Sequence, residues 1–158
     1  MQWFTDDIDS FWLYCADTVS DNIIATTDGL TSTTIGTGFS ASRKLSWTGC
    51  DFNSVMVLNN RADPPQQVVE PYNVAVPLEN WTWTVTLPDT SIWNTNARCE
   101  VIRSYKNYLI AMDCYDNNSV RYSNMVRWSG PAQLGDVPNS WDPDIVGQQS
   151  GLYALHPR

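Results

Sequence analysis

The sequence has little of what duplex DNA binding or a membrane helix requires. Its 158 residues include nine Lys and Arg against 17 Asp and Glu, a formal net charge of −8. The basic residues form no cluster, so tight binding to duplex phosphates is not expected. No apolar run approaches the roughly 18 residues of a membrane helix, so we expect no membrane span. The first residues, Met1–Asp7, lack a basic start followed by an apolar core, so we expect no signal peptide.

The sequence also has few residues that could bind a metal or form a nucleophilic pair. The four cysteines form no CxxC pair, and the chain has a single histidine, His156. A zinc site needs closely spaced Cys or His ligands, so we predict no metal and no cofactor. A Cys–His nucleophilic pair would have to recruit His156 from near the C-terminus. We expect the thiols to be reduced and to pack as small apolar groups. They are Cys15, Cys50, Cys99 and Cys114.

The composition favours strands and turns over helices. Of the 17 acidic residues 14 are Asp, and Lys occurs only twice, so strong helix formers are scarce. Asp and Asn favour turns, while β-branched and aromatic residues suit a pleated sheet. The length fits one domain. We therefore predict an all-β protein.

Three short apolar runs resemble one another, at 11–16, 55–60 and 109–114, and each breaks into a polar turn. Aligning Tyr14, Leu58 and Met112 places the runs 44 and 54 residues apart. This spacing is typical of propeller blades. We predict about three antiparallel propeller-like blades. Because so few blades do not close a propeller, a partner chain is expected to complete them.

The repeats define the predicted domain organisation. We expect a single β domain at 1–146 and a C-terminal tail or arm at 147–158, where no periodic pattern continues. Between the second and third runs lies a Trp-rich insertion at 80–87, whose strict alternation predicts a half-buried strand.

Three further features each allow two interpretations. The stretch 113–118 has the oxygen density of a calcium loop but not the EF-hand spacing, so a polar hairpin turn is favoured. The eight Trp suit core or interface packing, with a sugar-stacking platform as the alternative. With 14 Asp, some pair of carboxylates is inevitable, and no pattern selects one for a small hydrolase.

One segment near the C-terminus carries a resemblance. The order Arg127-Trp128-Ser129, then Gly135, Val137-Pro138 and Ser140-Trp141-Asp142, resembles the signature of tail nozzle proteins of short-tailed bacteriophages, also called tail tubular protein B or packaged-DNA stabilisation-like proteins. Upstream, Val57–Asn60 followed by Asp63–Gln66 and Arg98-Cys99 followed by Tyr105–Ala111 have a similar order. The resemblance covers roughly residues 3–142.

The resemblance implies a structural virion protein and no enzyme. Such proteins form a hexameric ring in the tail that continues the DNA channel and helps to retain or release the genome. The implied partners are other tail proteins, namely a nozzle continuation chain, an adaptor ring and a tail fibre, together with double-stranded DNA in passage. The implied location is the virion tail, assembled in the host cytoplasm. The motif residues, expected to serve core or interface packing, are Arg127, Trp128, Ser129, Pro138, Trp141 and Asp142.

The chain departs from this family in length. Family members are several times longer, so this chain would be a short or split version. Arg127 and Trp128 should face opposite sides of a strand, with Trp128 and Trp141 packed and Arg127 paired with a nearby Asp. A glycan-binding β-module for receptor attachment and a head-to-tail adaptor or decoration protein are the alternative functions.

Overall fold

The fold is described from a computed structural model. It describes residues 2–7, 10–16, 22–26, 30–40, 47–52, 55–69, 74–77, 97–116, 118–133, 138, 141 and 151–154. The Trp-rich insertion at 80–87 lies outside these residues, so the strand predicted there stays a prediction. The described residues contain twelve strands and no helix, which confirms the all-β prediction. No helix long and apolar enough to cross a membrane occurs among them.

The strands form three four-stranded antiparallel sheets, each a simple meander in chain order. The first sheet contains β1 (Gln2–Asp7), β2 (Ser10–Ala16), β3 (Ile23–Thr26) and β4 (Thr33–Gly36). The second contains β5 (Thr48–Phe52), β6 (Val55–Asn59), β7 (Gln66–Val69) and β8 (Val74–Pro77). The third contains β9 (Arg98–Tyr105), β10 (Tyr108–Tyr115), β11 (Arg121–Trp128) and β12 (Gly151–Ala154). None of these sheets closes on itself.

The first hairpin of each sheet has the same strand pairing, and the repeat length measured from it differs by one residue from the spacing predicted from the apolar runs. Each sheet opens with a two-residue hairpin, and the residues that begin the second strand are Ser10, Val55 and Tyr108. The repeats are therefore 45 and 53 residues apart, not 44 and 54. The earlier alignment was wrong because it matched the ends of the apolar runs. The hairpin turn sets the register, and a slip of one residue exchanges the two faces of a strand.

Two apolar clusters hold the three sheets together. One lies between the first and second sheets and includes Ile23, Met56 and Leu58. The other lies between the second and third sheets and includes Val57 and Ile102. Every residue of β6 is buried, since alternate side chains of this strand enter the two clusters. The second sheet is thus covered on both faces, which explains why its central strand is a nearly continuous apolar run.

The third sheet contains a bulge that exchanges the faces of its strands. The register between β10 and β11 shifts between Met112 and Cys114, and Asp113 between them has a φ of 53°. Before this point Leu109 and Ala111 face the cluster shared with the second sheet, and after it Cys114 does. The bulge thus keeps the apolar residues of a long strand on the core side although their sequence spacing changes from two to three.

The C-terminal segment adds a strand to the third sheet. Residues 151–154, within the region predicted to be a tail or arm, form β12 and pair with residues 125–128 of β11. Four residues are too few to show the alternation of a strand in the sequence. This strand forms by pairing with the edge of β11.

Candidate interface

The residues that carry the family resemblance fall into two polar connections at the ends of buried strands. The first connection follows β6. Asn59 is fully buried, and its side-chain amide donates a hydrogen bond to the carbonyl oxygen of Cys99 in the third sheet, at 3.1 Å. Its side-chain oxygen accepts a hydrogen bond from the backbone N–H of Arg61 at 3.3 Å. One buried amide therefore links the second and third sheets and also shapes the turn after β6.

The next residues complete this turn with an Asx-type network. The side-chain oxygen of Asn60 accepts hydrogen bonds from the backbone N–H groups of Ala62 at 3.0 Å and Asp63 at 2.8 Å. Asp63 in turn accepts hydrogen bonds from the Asn60 amide at 2.6 Å and from the backbone N–H and hydroxyl of Ser40 at 2.7 and 2.8 Å. Because Ser40 follows the first sheet, the turn after β6 also ties that region to the second sheet.

The second connection follows β11. Ser129 is fully buried, and its backbone N–H donates to the carbonyl oxygen of Leu109 at 2.9 Å. The Ser129 hydroxyl accepts from the Leu109 N–H at 2.9 Å and donates to the Gly130 carbonyl at 2.7 Å. The hydroxyl thus satisfies backbone groups where the strand pairing of β10 and β11 ends.

The remaining motif residues occupy different environments. Trp141 is 1% exposed and belongs to the cluster between the second and third sheets. Arg127 is buried, and its guanidinium donates to the Trp141 carbonyl at 3.3 Å. Pro138 is buried, and Asp142 lies outside the described residues.

Trp128 is only half-buried and lies beside Ile110 in the strand register, on the face of the third sheet away from Trp141. The expected separation of Arg127 and Trp128 is therefore present, with Trp141 as the core residue.

The outer face of the third sheet carries an aromatic groove. Tyr105, Tyr108, Ile110 and Trp128 line an open depression of about 280 Å³. Tyr105 is 58% exposed, and Met112, on the same face of β10, is 41% exposed. Sequence reasoning did not single out this face, because the alternation of a strand does not say which face a neighbour covers.

Within the polar stretch at 113–118, Asp113 lies in β10 and Asp116 begins the turn that leads to β11. The Asp116 carboxylate accepts hydrogen bonds from the backbone N–H groups of Asn118 and Val120, each at 2.8 Å, and from the Tyr122 hydroxyl at 3.3 Å. The Asp113 carboxylate binds the Arg121 guanidinium through two hydrogen bonds, at 2.8 and 2.5 Å. The oxygens of these two carboxylates therefore bind turn and strand groups. Among the described residues no group of three or more His, Cys, Asp and Glu could hold a metal ion.

The described thiols are poor nucleophiles. Burial raises the pKa of Cys50 to about 11 and that of Cys114 to about 12, and it also raises the pKa of fully buried Cys99. A thiol with such a pKa stays protonated at neutral pH and is unreactive. Their packing in and against the cluster between the second and third sheets agrees with the role expected of small apolar groups.

Comparison with protein-family models gives no match for this sequence, and comparison with curated proteins gives none either.

Proposed function

We propose that this chain is a structural, non-enzymatic component of a bacteriophage tail, a part of the nozzle ring around the DNA channel. The observation that carries the proposal is the role of the resembling residues. Asn59, Asp63 and Ser129 tie strands or sheets together through hydrogen bonds, and Trp141 does so by burial. Asn60 shapes the turn after β6. These are structural roles, as expected if the function of the chain is to hold a shape.

The arrangement of the sheets also supports the proposal. Three similar meanders follow one another, and the first strands lie near one another, since β5 contacts both β1 and β9. In a propeller, blades pack in sequence around an axis in this way. We propose that the three sheets are propeller-like blades that are incomplete in one chain. A net charge of −8 suits the wall of a channel that DNA must leave, because each neutralised phosphate would slow release.

The direct experiment is proteomic analysis of the phage from which the chain derives. Virions are separated into heads and tails, and the chain is quantified by mass spectrometry with major capsid and tail proteins as references. Recovery with the tails in a fixed copy number supports the proposal. Absence from purified virions contradicts it, whatever the oligomeric state of the isolated chain.

The aromatic groove favours a second candidate function, a glycan-binding module. Exposed aromatic rings beside an open depression are suited to stacking against sugar rings. Titration with oligosaccharides, followed by tryptophan fluorescence, tests it. A saturable change that disappears in Trp128→Ala supports sugar binding, whereas buried Trp141 would give no response. An unchanged spectrum over the titration contradicts this candidate.

A further inference from the structure

The outer face of the third sheet is rich in apolar and aromatic side chains, and two of the large ones, Tyr105 and Met112, are exposed. Its alternate positions on β9, β10 and β11 include one exposed cation, Arg103, opposite Ile110. They also carry five large apolar or aromatic residues, namely Tyr105, Tyr108, Ile110, Met112 and Trp128. On a sheet face in contact with solvent, the outward positions of each strand normally carry polar residues. This face instead exposes large apolar side chains in one patch. The patch therefore indicates an interaction surface.

The second sheet shows what such a face contacts. In the hairpin register Val57 of β6 corresponds to Ile110 of β10, since each is the third residue of its strand. Val57 is fully buried against the third sheet, with Ile102 and Ala111 in the same cluster. The next sheet in the chain thus covers the face of the second sheet at Val57. Among the described strands, no following sheet packs on the corresponding face at Ile110.

The first sheet lies at the opposite end of the stack, and its far face is the complementary one. Ile23 and Ala25 of β3 contact the second sheet through the first cluster. Ile24 between them therefore lies on the far face of the first sheet, where it is half-buried. In the second and third sheets, the face that corresponds to this one packs on the preceding sheet. The chain thus presents a face that receives a following sheet and a face that packs on a preceding one.

We propose that two copies of this chain associate head to tail, the outer face of the third sheet of each copy packing on the first sheet of the other. Two copies bring six sheets, within the range of about four to eight blades that closes a propeller. One type of contact, used twice around a two-fold axis, leaves neither end open. This inference rests on the fold and does not depend on the proposed tail function.

A second copy suits the surface better than the separate chain expected from the sequence. The contact requires the face of a sheet that packs on a preceding sheet, and the first sheet of this chain has that position in the repeat. Sugar binding and this association would use the same groove and exclude each other. A different chain as occupant, or residues of this chain beyond the described ranges, are outcomes that the experiment separates.

The experiment is sedimentation equilibrium of the full chain over a wide range of protein concentration, compared with two single variants. Met112→Asp places a charge on the outer face at a side chain that is already 41% exposed, and the matched control Val120→Asp makes the same change at a 49% exposed turn residue. We expect the native chain and Val120→Asp to sediment at twice the 17.8 kDa chain mass. Met112→Asp is expected to sediment at the mass of one chain.

A second variant keeps the test informative if Met112→Asp misfolds. Tyr105→Ser removes an exposed ring without introducing charge, and it should weaken dimerisation about tenfold or more, as for an aromatic anchor at an interface. Circular dichroism checks that each variant retains its strand content. A native chain that stays monomeric at all concentrations overturns the proposal, as does a stable assembly that Met112→Asp and Tyr105→Ser leave intact. Isolation from the natural source in equal numbers with a different chain at this face also overturns it.

Discussion

The second and third sheets are built on the same hairpin register, yet their central strands have different surroundings. Val57 of β6 is fully buried between two sheets, while Ile110 at the corresponding position of β10 is half-buried beside an open groove. Both positions carry a β-branched aliphatic residue. The apolar pattern is thus similar in both sheets, but the residues that the structure describes bury Val57 fully and Ile110 only partly.

We interpret this difference as a sign that the outer face of the third sheet is covered in an assembled state. A solvated face gains less from aromatic and aliphatic side chains than a covered one, since most of their stabilisation comes from area removed from water. The pattern of the third sheet is therefore consistent with the association that we propose. Variants that truncate corresponding residues in the two sheets measure the difference directly.

The largest effect is expected at the two motif tryptophans. Trp141→Ala should lower the free energy of unfolding by about 3–5 kcal/mol, since it opens a cavity between the second and third sheets. Trp128→Ala should cost about 1–2 kcal/mol in dilute protein, because its ring lies on the partly open face. Urea unfolding of both variants measures the two values. Equal losses would show that the two faces are equally buried.

The corresponding aliphatic pair gives a smaller effect. Val57→Ala should cost about 2 kcal/mol through lost burial and a residual cavity. Ile110→Ala should cost about 1 kcal/mol in dilute protein although it removes one more carbon atom, because half-buried Ile110 loses less contact. Urea midpoints at low concentration report these values. A larger loss at Ile110 than at Val57 would contradict the assignment of covered and open faces.

The hydrogen bond from Asn59 to Cys99, which links the second and third sheets, should also contribute to the free energy of unfolding. Asn59→Ala leaves the buried carbonyl of Cys99 without its amide donor, and this should cost about 1–3 kcal/mol. Asn118→Ala is the matched control, since Asn118 is exposed and the turn uses its backbone N–H. The control should unfold like the native chain within about 0.5 kcal/mol. If Asn59→Ala behaved like the control, the amide would not link the sheets.

An effect that is absent at neutral pH is a pH dependence from the buried thiols. Desolvation raises the pKa of Cys114 from 9.0 to about 12, against a lowering influence of Arg127. Above pH 9.0 the unfolded thiol loses its proton while the folded one keeps it. The folded state then binds more protons, so stability falls with rising pH between 9.0 and about 12. Urea titrations across this window should show a shallower decline in Cys114→Ala, and an unchanged decline would contradict the burial of this thiol.

The sequence predicted the fold class and the recurrence of hairpins because both depend on local chemistry. Scarce helix formers, turn-forming Asp and Asn, and the apolar runs all act within a few residues. The register was wrong by one residue because the apolar runs end at different points after their turns, as Asn59 and Met112 show. A bulge such as that at Asp113 has no signal in periodicity alone, since it depends on a single backbone conformation.

The candidate interface was predicted only in part, for a similar reason. The motif residues from Arg127 to Trp141 were identified by resemblance, but their separation onto two faces depends on which neighbour each face meets. The role of Asn59 could not be predicted, because its partner Cys99 is 40 residues away in the chain. The open groove around Ile110 follows from the absence of a fourth described sheet, which no local pattern encodes.

Methionine oxidation, measured by mass spectrometry on the full chain, tests the central claim most directly. Met56 and Met125 are 2% and 6% exposed in the core, while Met112 is 41% exposed on the outer face, so the chain contains its own controls. Oxidation of methionine requires access to its sulfur. We predict that Met112 is protected like Met56 and Met125 in concentrated protein and becomes reactive on dilution, while both controls stay protected. Reactivity of Met112 at every concentration would contradict the claim that another sheet covers this face.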